Sequence, residues 1–233
     1  MHVLIVVTSA DTLAPGHPTG VWLEEFAVPF VALTEVGIDI TVASPKGGAA
    51  PIDPKTAPDE KAREKWGPAL RALADTRRLA DVEEDSYDAL FIPGGHGPMV
   101  DLATDERMAA LVGAFDRAGK IIAAICHGPA ALLCATVADG EPLLKGRRVT
   151  GFTNGEETLV KLHEVVPFLL ETRMRAAGGR FEHALLPMTG HVVIDGALIT
   201  GQNPASSLAT AKALVDALAR RQRGPMTAAA TAF

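Results

Sequence analysis

Strand-like runs recur along this chain at Val3–Val7, Asp39–Ala43, Ala89–Ile92, Lys120–Ile125, Arg148–Thr150, His191–Ile194 and Ala197–Thr200, several of them apolar at almost every position. A strand with no polar face has to be covered on both sides, which is the burial pattern of a parallel sheet. Segments with helical periodicity separate most of these runs. The alternation predicts an α/β fold, a mostly parallel sheet with helices on both faces.

Punctuating residues set the ends of the elements. Val21–Val36 and Asp105–Ala118 are predicted helices that stop at Gly37 and Gly119, where glycine can adopt the left-handed conformation that ends a helix. Asn203-Pro204 reads as an N-cap followed by proline at the first helical position, opening a last helix over Ala205–Arg220. Ser44–Glu84 is broken by Pro45, Gly47, Gly48, Pro51, Pro54, Pro58 and Pro68. It is expected to be a cap-like excursion above the sheet, over the strand ends where α/β folds place their ligands. Val137–Gly146 reads as a polar, hairpin-like connection, and the small-residue tail 224–233 is expected to be disordered. Residues 1–223 then form a single domain, large enough to bury a core without a disulfide or a structural metal.

Composition narrows the function classes. With 22 basic and 28 acidic residues the chain carries a formal charge of −6. It has no basic face interleaved with aromatics, which argues against nucleic-acid binding. No apolar run reaches the length of a membrane span, and Met1-His2 leads straight into a strand without the basic region of a signal peptide. A soluble, cytoplasmic protein with no membrane partner is expected. Its two cysteines, Cys126 and Cys134, lie on one strand-turn-helix unit, poorly placed to bond to each other, so reduced thiols are expected.

Ile121-Ile122-Ala123-Ala124-Ile125-Cys126-His127-Gly128-Pro129-Ala130 runs an apolar strand straight into a cysteine, a histidine and a helix start. That is the layout of a nucleophile elbow, a sharp turn that holds its central side chain above the sheet, with the small Ala124 and Gly128 allowing close backbone approach. Cys126 is therefore the candidate nucleophile. A helix N-terminus beside it is expected to favour the thiolate and to offer N–H donors to an oxyanion. Cys134, on the apolar stretch Ala130–Ala135, reads as core.

Other segments fall into order around this turn: Thr19-Gly20-Val21-Trp22-Leu23-Glu24-Glu25 with Pro29, Ala43-Ser44-Pro45-Lys46-Gly47-Gly48, Pro93-Gly94-Gly95-His96-Gly97, Thr150-Gly151-Phe152-Thr153 and Gly201-Gln202-Asn203-Pro204-Ala205-Ser206. Together they resemble the ThiJ/PfpI superfamily, of class I glutamine amidotransferase-like fold, in its chaperone/glyoxalase III branch, whose cysteine is followed by His-Gly-Pro. The resemblance covers nearly the whole chain. It implies a flavodoxin-like, doubly wound sheet with a small inserted cap. It also implies a catalytic set of Cys126, the adjoining His127, a glutamate from the first helix and an acidic residue after Gly-Phe-Thr. By spacing, the first carboxylate falls on Glu25 with Glu24 competing, and the second on Glu157 with Glu156 competing. The backbone amides of Gly95 and His127 are the implied oxyanion donors, with Gly94 and His96 in the same substrate-binding turn. The branch implies glutathione-independent conversion of methylglyoxal and related 2-oxoaldehydes to 2-hydroxy acids, without a cofactor and in a homodimer. Some members hold a metal, which this sequence does not demand.

The chemistry asks for such a set independently. A thiolate attacks the aldehyde to give a hemithioacetal oxyanion, and a carboxylate then moves a proton between neighbouring carbons while an imidazole serves the oxygens. Glu25 packed against the sulfur should be protonated, because burial and a neighbouring anion both oppose its charge. Glu157, if it holds His127, should orient the ring and favour its charged form. The remaining histidines, His2, His17, His163, His183 and His191, show no ligand spacing, and the Gly94–Gly97 turn lacks the Lys-Ser/Thr ending of a phosphate loop. The same thiol would serve a cysteine peptidase, an amidase or a protein deglycase. From another class comes a holdase chaperone in which Cys126 senses oxidants. A glutamine amidotransferase takes a late His-x-Glu pair, which neither His183-Ala184-Leu185 nor His191-Val192-Val193 supplies.

Overall fold

The structure is a computed structural model that describes residues 1–137 and 139–223. The expectation for the tail 224–233 lies outside the described residues. Strands β1 (His2–Val6), β2 (Asp39–Ser44), β3 (Arg77–Arg78), β4 (Ala89–Ile92), β5 (Ile121–Ile125), β6 (Val192–Asp195) and β7 (Leu198–Gly201) make one sheet in the order β6-β7-β5-β4-β1-β2-β3. β6 and β7 form an antiparallel hairpin, and the other neighbouring pairs are parallel. Val3–Val6, Ala89–Ile92 and Ile121–Ile125 are buried at every position, as runs without a polar face require. Each large apolar side chain removed from water there stabilises the fold by about 1.5–3 kcal/mol.

Helices α1 (Leu23–Glu35), α2 (Glu60–Lys65), α3 (Gly67–Ala74), α4 (Glu106–Arg117), α5 (Asn154–Leu159), α6 (Leu170–Ala176) and α7 (Ser207–Arg223) surround the sheet. α1 and α7 pack side by side on one face, and α4 lies against β4 and β5 on the other. The predicted ends of α1 and α4 are those observed: Gly37 and Gly119 have φ of 74° and 60°, and the Asp105 carboxylate caps α4 by accepting from the Met108 N–H at 2.8 Å. The architecture is the doubly wound α/β fold expected.

Three local expectations need correction. Arg148–Val149 is a strand, but it pairs with Arg180–Phe181 in a separate two-stranded ribbon instead of joining the main sheet. Ser44–Glu84 is only in small part a cap: it forms α2 and α3, buries Ala69 and Leu73, and returns to the sheet as the edge strand β3. The element after Cys126 is a 3-10 helix over Gly128–Leu132, not an α-helix. Val137–Gly146 is hairpin-like, closed by an antiparallel bridge between Thr136 and Pro142.

The strand order fixes where a ligand can go. From β1 the chain winds outward to β2 on one side and to β4, β5 and β7 on the other, so the order reverses between β1 and β4. Open α/β sheets bind ligands in the crevice beyond the carboxyl ends of the strands at such a reversal. Pro93-Gly94, after β4, and Cys126, after β5, leave the sheet there.

Candidate active site

Cys126 has φ of 59°, a conformation that residues with a side chain rarely adopt and that a nucleophile elbow requires. The turn is held by its neighbours. The Cys126 N–H donates to Gly201 O, its carbonyl accepts from Phe152 N–H, and a Cβ on Gly128 would run into the Ile92 carbonyl. The sulfur sits at the floor of a cavity of about 110 Å³ walled by Trp22, Phe152, Val160, Met188 and Pro204. Cys126 is 3 % exposed.

Glu25 is the carboxyl group beside it. On α1 it shares the buried stripe with Pro29 and Leu33, at helical steps of four, whereas Glu24 is exposed. Glu25 Oε2 accepts from the Gly94 N–H at 2.9 Å, and Oε1 is buried with no partner of good geometry. Burial is the chief cause that lifts this carboxyl to about 8, against the hydrogen bonds to Cys126 and Gly94 that pull it down. A proton on Glu25 is thus the state at neutral pH, as reasoned from the residues. The same hydrogen bond removes the Gly94 N–H from the set of free oxyanion donors, while the Gly95 N–H points to the sulfur.

His127 Nδ1 lies 3.3 Å from Cys126 Sγ, and its Nε2 lies 2.7 Å from Glu157 Oε2. The spacing argument could not separate Glu157 from Glu156, and the structure places Glu157 on His127. Glu156 turns away: its Oε2 accepts from Thr153 in a capping box at the start of α5, and its Oε1 accepts from Gln202 Nε2, Asn203 Nδ2 and the Met188 N–H. Asn203 therefore does more than cap a helix, since its amide helps to hold that buried carboxylate. His96, which reads from sequence as a pocket wall, is one, and its Nε2 also lies 2.9 Å from the other oxygen of Glu157. The two imidazoles stack at 4.0 Å between ring centroids, with Phe152 against His127 at 4.5 Å.

Charge states differ from two sequence expectations. Burial, then the Glu25 carboxyl, push the Cys126 thiol well above its ordinary value, so the resting group is a thiol; a short 3-10 helix does not outweigh desolvation. Burial and the neighbouring His96 hold His127 down at about 4, so it rests neutral despite its carboxylate partner. Burial opposes the charge on Glu157 as well, but hydrogen bonds from His127 and His96 prevail and bring it to about 2. A charged Glu157 accepting at both oxygens fixes both rings as Nε2–H tautomers, which leaves the His127 Nδ1 lone pair facing the thiol. Donor atoms of His96, His127 and Glu157 lie within 4.8 Å of one another, the one such cluster among the described residues. A cation there would displace the hydrogen bond that orients His127.

Three residues of the cavity wall escaped the sequence reading, Lys55, Val160 and Met188. Lys55 comes from the 44–84 segment and Met188 from a loop before β6, where it has φ of 59°. Met188 had no local signal, because the contact that places it is made by Glu156, distant in sequence. Cys134, read from sequence as core, is only half-buried; it bonds to Ala131 O and is lifted to about 11, chiefly by burial.

The chain is similar along most of its length to several known proteins. The chain is 27 % identical to the "Glutathione-independent glyoxalase HSP31" of Saccharomyces cerevisiae, with 93 % of this chain and 97 % of the yeast protein covered. The solved structure of glyoxalase III from Candida albicans superposes with a TM-score of 0.85 at 25 % identity, covering 93 % and 97 % of the two chains. The Rapid Encystment Protein 24 kDa of Francisella tularensis superposes with a TM-score of 0.87 at 34 % identity, covering 93 % and 98 %. Residues 18–217 match the DJ-1/PfpI family, and with a match that spans most of its length and includes the elbow, the chain belongs to the DJ-1/PfpI family.

Proposed function

We propose that this chain is a glyoxalase that converts a small 2-oxoaldehyde such as methylglyoxal to the 2-hydroxy acid without glutathione. The observation that carries the reading is the Cys126 sulfur on the floor of a small cavity with a protonated Glu25 at its side and neutral His127 on Glu157 at the other. The relatives named as glyoxalases support it.

The steps follow from the geometry. His127 Nδ1 takes the thiol proton as the sulfur bonds to the aldehyde carbon, and the hemithioacetal oxygen takes a hydrogen bond from the Gly95 and His127 amides. Glu25, ionised by exchange because it titrates near neutral pH, removes the proton from that carbon to give an enediol. It returns the proton to the neighbouring carbon, leaving a 2-hydroxy thioester. Water cleaves the thioester, the acid leaves and the thiol is restored. One carbon is oxidised and its neighbour reduced, so the electrons balance within the substrate.

A cavity of about 110 Å³ is well below the 300–1,000 Å³ of sites for larger ligands, which favours a small aldehyde over the peptide of a peptidase or the protein of a deglycase. The reading carries with it one domain over residues 1–223, a homodimer and a cytoplasmic setting; ultracentrifugation tests the dimer. Lactate release from methylglyoxal in glutathione-free buffer tests the activity. No lactate above a Cys126→Ala control would overturn it.

A second reading rests on a separate observation. Leu185 is 94 % exposed and Leu186 66 %, an apolar pair on the loop before Met188 of the kind a holdase uses to hold unfolded chains. Suppression of client aggregation that persists in Cys126→Ala and fails in Leu185→Ser/Leu186→Ser supports that activity.

A further inference from the structure

Outside the catalytic set, the cavity is lined by apolar side chains and one cation, Lys55. Its backbone is anchored. The Lys55 N–H donates to Asp53 Oδ1 at 2.9 Å, the Asp53 N–H to Val21 O at 2.9 Å, and the Val21 N–H to Pro51 O at 2.8 Å. The next residue, Thr56, accepts through its hydroxyl from the Leu23 N–H at 3.1 Å, which satisfies a free donor at the start of α1. Lys55 is therefore fixed to the junction from which Glu25 projects.

Among the described residues the Lys55 ammonium group makes no ion pair. No carboxylate lies within 4.0 Å of it among the described residues, although the chain as a whole is acidic. Lys55 is exposed whereas Cys126 is buried, so the cation stands at the mouth of the cavity and the sulfur at its floor. An acidic protein repels anions in general, so a site that admits one needs a local cation.

We infer that Lys55 selects, among 2-oxoaldehydes, those whose far end bears an anionic group such as a carboxylate. The inference rests on the glyoxalase reading for the reacting end and goes beyond it for the other end. A carboxylate at the mouth gains a charge-assisted hydrogen bond from Lys55 while the aldehyde reaches the sulfur. Methylglyoxal ends in a methyl group and gains nothing from the charge.

The test compares methylglyoxal with 4,5-dioxopentanoate, a 2-oxoaldehyde ending in a carboxylate, on the wild-type chain and on Lys55→Met, Lys55→Glu and Lys55→Arg. The ratio of kcat/KM for the anionic over the neutral aldehyde is expected to fall about tenfold in Lys55→Met and further in Lys55→Glu. Lys55→Arg should retain it, and salt should weaken the wild-type preference. An unchanged ratio, or an equal fall for both aldehydes, overturns the inference. Binding of 4,5-dioxopentanoate to Cys126→Ala, followed by calorimetry, separates this result from the fate of the glyoxalase reading. If wild type turns over neither aldehyde, that reading fails, yet roughly tenfold weaker binding on adding Lys55→Met still supports the inference. Binding indifferent to Lys55→Met overturns it.

Discussion

A Cβ at position 94 would lie 2.5 Å from Glu25 Oε2 and 2.8 Å from the Cys126 Cβ. Gly94→Ala must therefore push the carboxyl group and the sulfur apart. Since a displacement of about 1 Å costs on the order of 100-fold in rate, the expected outcome is at least that loss of lactate formation in a chain that remains folded by circular dichroism. Glu157→Gln acts differently. The amide puts an NH2 donor where one carboxylate oxygen accepted, so one of the two Nε2–H groups faces a donor and that ring must change tautomer. If that ring is His127, its Nδ1 carries a proton toward the thiol and no longer accepts one. A fall in kcat of roughly two to four orders of magnitude is expected, read from single-turnover kinetics. At this scale the sequence was informative about Glu25 only through motif spacing, with Glu24 competing; the buried stripe it shares with Pro29 and Leu33 along α1 is what separates the two. The sequence was silent between Glu156 and Glu157, since adjacent helical residues are both buried here and only a distant histidine or asparagine tells them apart.

The elements that hold the site were legible to the degree that they were apolar and regular. β1, β4 and β5 were read from their composition because both faces are covered, and α1 and α4 from their glycine stops. β3 was missed: Arg77 and Arg78 are two exposed residues whose pairing with β2 owes nothing to hydrophobic pattern. Asn203 misled for a related reason, as its cap position is also within reach of Glu156. That carboxylate ties α5 to the loop carrying Met188, so Glu156→Gln trades an acceptor for a donor among donors. Proteolysis near residues 183–190 should become faster, with a destabilisation of about 1–3 kcal/mol by denaturant titration. Thr56→Ala removes the hydroxyl at the start of α1 and should cost about 1 kcal/mol by the same measurement.

Across the molecule, the site sets how stability follows pH. Glu25 is raised from 4.5 to about 8, so it stabilises the fold fully below the lower value and loses that contribution as pH rises through the upper one. Glu25→Gln cannot ionise. Its melting temperature is therefore expected to gain on wild type between those limits and to hold the gain above them, in parallel scans across pH. His127 and Glu157 work in the opposite direction. Their folded values lie below the ordinary ones, so stability falls as pH drops from 6.5 toward about 4 through His127 and from 4.5 toward about 2 through Glu157. The active site thus narrows the stable range from both sides.

The hydroxyl of Thr56 on the amide of Leu23 makes the rim and the root of the first helix a single mechanical unit. A molecule that settles against Lys55 should quieten that unit, and deuterium uptake at Leu23, far along the chain from the elbow, should slow in step with occupancy.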